Sequence, residues 1–110
     1  MIISFRNSIH DQALKEACEL WECTPETILE KNRTTEVHTV RSCLGVAMRN
    51  VLGITTTRIG KTLNRTHKNV LYWCQNHSLR MSTMHGDTDK PVDPLYYENY
   101  NAIAERLKKL

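Results

Sequence analysis

Between Thr35 and Leu52 the apolar residues Val37, Val40, Cys43, Leu44, Ala47, Met48, Val51 and Leu52 recur at three- and four-residue intervals, and this run constrains the fold more than any other feature. At about 3.6 residues per turn, that spacing places them on one continuous stripe of a helix. A helix this long with one apolar face must be covered by other elements. Gly53 is suited to end it, because a glycine just past the last turn takes the left-handed conformation that satisfies the final carbonyls.

The flanking segments supply more helices. Ser8-Ile9-His10-Asp11 has the form of a capping box, and Ile9, Ala13, Leu14, Ala17, Leu20 and Trp21 follow at helical spacing. Thr24-Pro25 opens a short helix carrying Ile28 and Leu29 inward, since proline suits a first helical position. Residues 30–34 form a polar, mostly basic connection. Beyond Gly53, Thr55 or Thr56 caps a helix from Thr57 to Leu63, with Ile59 and Leu63 inward and Gly60 permitting close approach of a neighbour. Thr66 caps another running to about Leu79, with Val70, Leu71, Cys74 and His77 facing the core. Residues 81–93 lack periodicity and are rich in turn formers, which reads as a flexible loop. Asp93-Pro94 begins a last helix with Tyr96, Tyr100, Ile103, Leu107 and Leu110 on one stripe. The expectation is an all-α, compact helical bundle in one domain spanning 1–110: core 9–80, loop 81–93 and C-terminal helix 94–110.

Composition narrows the function classes. No apolar run approaches the roughly 20 residues of a membrane helix, so no membrane partner is expected. Met1-Ile2-Ile3-Ser4-Phe5-Arg6 lacks the basic and then apolar pattern of a secretory signal, and the expected location is the cytoplasm. The four cysteines, Cys18, Cys23, Cys43 and Cys74, show no C-x-x-C pair and no accompanying histidine pair at ligand spacing, so they read as reduced thiols, with no metal and no cofactor. Trp21 and Trp73 lie beside apolar stripes and read as packing residues. His10, His38, His67, His77 and His85 are scattered, and no nucleophile–base pair or carboxylate pair stands at a telling spacing. The chain is not expected to be an enzyme.

The net charge of +3 is modest, but it is unevenly placed. From Lys31 to Arg80 nine basic residues face the single acid Glu36, a balance of +8, and the remainder of the chain balances to −5. A positive middle with negative ends is the pattern of a polyanion-binding domain. Within that middle, two helices joined by a turn of about three residues have the dimensions of a helix-turn-helix. The second helix of that motif enters the DNA major groove with its N-terminal residues on the base edges. Here these are Thr66, His67, Lys68 and Asn69. Lys68 can donate to guanine O6 and N7, Asn69 can pair bidentately with adenine, and the helix N-terminus favours phosphate.

The stretch Arg58-Ile59-Gly60-Lys61-Thr62-Leu63-Asn64-Arg65-Thr66-His67-Lys68-Asn69-Val70-Leu71-Tyr72-Trp73-Cys74 resembles the signature of the C-terminal DNA-binding domain of the bacterial replication initiator DnaA, approximately I-G-x-x-F-G-G-R-D-H-T-T-V-L-H-A. Ile59, Gly60, Arg65, His67, Val70 and Leu71 match if one glycine is deleted at the turn. The likeness extends upstream through Ala17 to Trp21, Ile28-Leu29 and the long run from Val37 to Leu52, about two-thirds of the chain.

The resemblance implies a Trp-repressor-like fold and double-stranded DNA as partner, bound in sequence-specific fashion in replication initiation, its regulation, or transcriptional control. It assigns Arg65, Thr66, His67, Lys68 and Asn69 to the major-groove surface. Arg58 and Lys61 belong to the same basic surface, and Arg41 matches a basic position early in the central helix. Thr66 replaces the family's Asp, and Lys68 and Asn69 replace its two Thr. Thr39 stands where the family often places a minor-groove arginine, with Arg33 and His38 as nearby substitutes. No G-x-x-x-x-G-K-[ST] loop is present, so no ATPase activity is implied. The alternative is a module that binds a replication or initiator protein without touching DNA.

Overall fold

The long apolar run forms α3 (Thr35–Leu52), and every other helix is arranged around it. In the computed structural model, residues 8–30, 34–84 and 90–110 are described. Thr34 caps α3 by accepting from the Val37 amide, and Gly53 ends it in the left-handed conformation at φ 68°. Where periodicity foretells one buried stripe, residues 39–48 are buried on every side. The extra cover comes chiefly from α6 (Pro94–Lys108), which packs along α3 and adds Tyr96, Ile103 and Leu107 to the core. The C-terminal helix is therefore part of the core, which is not confined to residues 9–80.

Total burial of α3 encloses Thr39, Arg41 and Ser42, and each is hydrogen-bonded. Arg80 crosses this region. Its Nε donates to Asp93 at 3.0 Å, its Nη1 to Ser42 Oγ at 3.2 Å and its Nη2 to Thr39 Oγ1 at 3.5 Å, while the guanidinium lies 4.1 Å from the centre of the Tyr96 ring. Among the described residues no buried side-chain nitrogen or oxygen is left without a partner.

The remaining elements are α1 (Ile9–Leu20), α2 (Pro25–Leu29), α4 (Thr56–Leu63) and α5 (His67–Met81), with a two-residue antiparallel ladder pairing β1 (Thr83–Met84) and β2 (Lys90–Pro91). The fold is all-α apart from that ladder. It occupies both flanks of the expected loop, and Val92 N donates to Ser82 O at 2.9 Å below it, so the base of the segment is pinned. Residues 85–89 lie outside the described residues, as do Lys31 and Arg33. The capping box at α1 does not form, because the Ser8 hydroxyl donates to Asp11 Oδ2 at 2.7 Å instead of accepting from a backbone amide. Thr24 likewise makes no side-chain cap on α2; its hydroxyl meets that of Thr27. No helix among the described residues is long and apolar enough to cross a membrane.

Candidate nucleic-acid interface

Helix α4, the turn Asn64-Arg65-Thr66 and α5 carry Arg58, Lys61, Arg65 and Lys68 of the basic segment. Thr55 caps α4 by accepting from the Arg58 amide, and Thr66 caps α5 by accepting from the Asn69 amide. Asn64 ends α4 with φ 55° and ψ 48°, the left-handed conformation that asparagine tolerates better than other side-chain-bearing residues. A further glycine is therefore not required at this turn. Gly60 is required for a different reason: a Cβ there would meet the Arg65 carbonyl oxygen at 2.7 Å, so the turn folds directly onto α4, with Arg65 N donating to Gly60 O at 2.8 Å.

Core packing fixes how α5 is rotated about its axis. Val70 and Trp73 are buried, and Trp73 sits against Gly45 of α3, where a Cβ would lie 2.8 Å from the indole. The opposite face must then point to solvent. Thr66, His67, Lys68 and Asn69 are all exposed, as are Arg58 and Lys61 on α4, which share a face at three-residue spacing. Gly60, Lys61, Asn64, Arg65, Thr66 and Asn69 line an open concavity of about 650 Å³ between the two helices. His67 Nδ1 lies 2.9 Å from Thr56 Oγ1, tying the first turn of α5 to the first turn of α4.

The electrostatics of this face differ from those of the earlier helices. The first turns of α1, α2 and α3 carry Asp11, Glu26 and Glu36, whereas α4 and α5 carry no acid there. Their positive helix ends are not offset by local carboxylates. Among the described residues Arg58, Lys61 and Lys68 form no ion pair; the pairs lie at Arg80–Asp93, Arg106–Glu16, Arg106–Glu19, Lys108–Glu105 and His10–Asp11.

No family model, curated protein or solved structure matches the chain. The reading of the surface rests on its own chemistry, and two of the expected contacts need correction.

Arg41 is only 2% exposed. Its Nε donates to Ile28 O and its Nη2 to Glu30 O, both at 2.6 Å. Burial and the neighbouring Arg65 guanidinium lower its pKa to about 10, so it stays charged at neutral pH, but it cannot reach a phosphate. Arg65 is half-buried and similarly committed: Nη1 donates to Leu29 O at 3.1 Å and Asn64 O at 2.8 Å, and Nη2 to Glu30 O at 2.7 Å. Together the two guanidinium groups take the carbonyls at the end of α2, which a helix C-terminus otherwise leaves without partners. They tie α2 to α3 and to the α4–α5 turn. The sequence hid this role because a buried and an exposed arginine are written identically.

Thr39 is buried and bonded to Arg80, so the position likened to a minor-groove arginine is not on the surface. His38 is exposed, and its pKa is lowered by partial burial and by Arg41, Arg80 and Arg65, which favours the neutral ring. Arg33 lies outside the described residues.

The other reactive side chains show no comparable assembly. Among the described residues no three His, Cys, Asp or Glu are grouped to hold a metal. Cys43 is buried and its thiol is pushed up to about 12 by burial; Cys18 is raised to about 11 by burial and the adjacent Cys23. Both thiols stay protonated at neutral pH and are weak nucleophiles. Trp73 is a core residue, and Trp21 is half-buried with Nε1 donating to Asn99 Oδ1 at 2.9 Å.

Proposed function

We propose that the chain binds double-stranded DNA in a sequence-specific manner through α4 and α5, as a DnaA-like helix-turn-helix module without ATPase or other catalytic activity, acting in replication initiation, its regulation, or transcriptional control. One observation carries this reading: the start of α5 projects four exposed hydrogen-bonding side chains, Thr66 to Asn69, beside the cations Arg58 and Lys61, which form no ion pair among the described residues. Arg58 and Lys61 are placed to meet phosphates, which fix register, while Lys68 and Asn69 are placed to meet base edges, which carry specificity. The capped N-terminus of α5 adds amides and a partial positive charge toward the same ligand.

The likeness of residues 58–74 to the DnaA signature supports the same reading, and the turn makes the likeness physically sensible. Asn64 supplies the left-handed residue and Gly60 the close approach that a tight connection needs. Arg65 enters this reading as a positioning residue rather than as a phosphate contact.

Selection of bound duplexes from a random pool tests the proposal, since it reveals affinity, sequence and any half-site symmetry together. Enrichment of a defined sequence is expected. Recovery of no duplex at low salt would instead favour a surface that docks on another protein.

A further inference from the structure

Tyr72 is 64% exposed although it lies on the helix that carries the interface. Its hydroxyl has no hydrogen-bond partner among the described residues; only its backbone carbonyl is used, accepting from Asn76 Nδ2 at 2.9 Å. The rotation of α5 explains its direction. With Val70 buried and Trp73 locked against Gly45, residues 68 and 72, four apart, fall on the solvent face one above the other. Lys68 and Tyr72 therefore form one outward row. No carboxylate on α5 interrupts it, for the helix HKNVLYWCQNHSLRM contains no acid.

Helix dimensions place Tyr72 within reach of DNA. At about 1.5 Å per residue it stands about 6 Å beyond Lys68 along α5, close to two base-pair steps of about 3.4 Å. With α5 lying along the major groove and its first turn on base edges, Tyr72 is one turn further on the same face, whereas Leu79, 65% exposed, stands about 10 Å beyond it along the axis. In that groove thymine is the base that offers an apolar group, its C5-methyl. A phenol ring matches that surface better than any other side chain in the row.

Resting on the DNA-binding reading above, we infer that Tyr72 is a specificity residue whose ring packs on the C5-methyl of a thymine about two base pairs from the one met by Lys68. Nothing in the side-chain chemistry of Thr66 to Asn69 supplies an apolar surface of this size, so Tyr72 extends the reading frame of the helix beyond its first turn.

The test uses the duplex recovered from the random pool, with each thymine replaced in turn by uracil, which lacks only the methyl group. The unaltered protein is expected to lose about fourfold in affinity at one thymine, the value of burying one methyl group. Tyr72→Ala is expected to bind the thymine and uracil duplexes equally, and Tyr72→Phe to keep the discrimination. Because Tyr72 is exposed, both variants should unfold at the urea midpoint of the unaltered chain. Discrimination that survives in Tyr72→Ala, an unchanged affinity of that variant for the parent duplex, or a site in which no thymine matters would each overturn the inference while leaving DNA binding intact. Failure of the unaltered protein to bind any duplex would overturn the underlying reading, and the inference with it.

Discussion

The α1–α6 face and the α4–α5 face treat charge in opposite ways. Where α6 crosses α1, Arg106 Nη1 lies 3.2 Å from Glu16 and 3.8 Å from Glu19, and Lys108 pairs with Glu105 at 3.2 Å. On α4 and α5, Arg58, Lys61 and Lys68 are exposed and form no ion pair among the described residues. The first arrangement closes the fold onto itself, whereas the second leaves its positive charge exposed. A third group of cations belongs to neither face: Arg41, buried, and Arg80, half-buried, come from the same basic segment and are bonded to carbonyls, hydroxyls and Asp93. The +8 balance of residues 31–80 therefore overstates the free positive surface, because net charge counts buried and free cations alike.

Removing the exposed cations together should have the largest effect. Replacing Arg58, Lys61 and Lys68 by Gln should lower duplex affinity by about 100-fold near 0.1 M salt. Their loss should leave the urea unfolding midpoint unchanged, since none is ion-paired among the described residues. Arg41→Met should do the reverse. It removes the Arg41 donor from the Ile28 carbonyl and leaves Glu30 O with Arg65 alone, and should destabilise the fold by about 3 kcal/mol in urea titrations, with the salt slope of any residual duplex binding preserved. Gly60→Ala sets a methyl group against the Arg65 carbonyl and should cost about 2 kcal/mol of stability by forcing the turn off α4.

A smaller effect separates base contacts from phosphate contacts within the same face. Asn69→Ala should relax preference at one base pair by about 1 to 3 kcal/mol, visible as a change in the selected sequence rather than a uniform loss. The paired face sets the lower bound: Arg106→Ala should reduce stability by no more than about 1 kcal/mol and leave duplex affinity unaltered. A pH titration adds one further contrast. Burial lowers the pKa of His77, whose Nδ1 lies 2.8 Å from the Tyr96 hydroxyl, so the unfolded chain takes up its proton first as pH falls below 6.5. Its contribution to stability is therefore present above that pH and is lost on acidification through the folded value. His77→Gln should flatten this part of the curve.

Much of the fold was legible in the sequence because its signals are local. The period of Val37 to Leu52, the glycine at 53, and the threonines at 55 and 66 act through neighbours within a few residues, and each appears where expected. Ser8 failed as a cap because its hydroxyl had a competing acceptor three residues away in Asp11, a choice that residue types alone do not fix. The complete burial of α3 was not legible either, since it depends on α6 returning across more than 40 residues of sequence. For the candidate surface, spacing located Thr66 to Asn69, Arg58 and Lys61 on the exposed face. It could not distinguish Arg41 from them, because that residue's partners at Ile28 and Glu30 come from another helix. Tyr72 escaped notice because it lies off the stripe of Val70, Leu71, Cys74 and His77 and beyond the first turn of α5.

The chain carries nine cations between Lys31 and Arg80, whereas those that face solvent on α4 and α5, Arg58, Lys61 and Lys68, suggest two or three phosphate contacts. The dependence of duplex affinity on salt measures that difference directly, at about 0.9 per phosphate. For the selected duplex, log K plotted against log salt should fall with a slope of about −2 to −3. No measurable duplex affinity at low salt, or an affinity indifferent to salt, would contradict the assignment of the α4–α5 face to DNA.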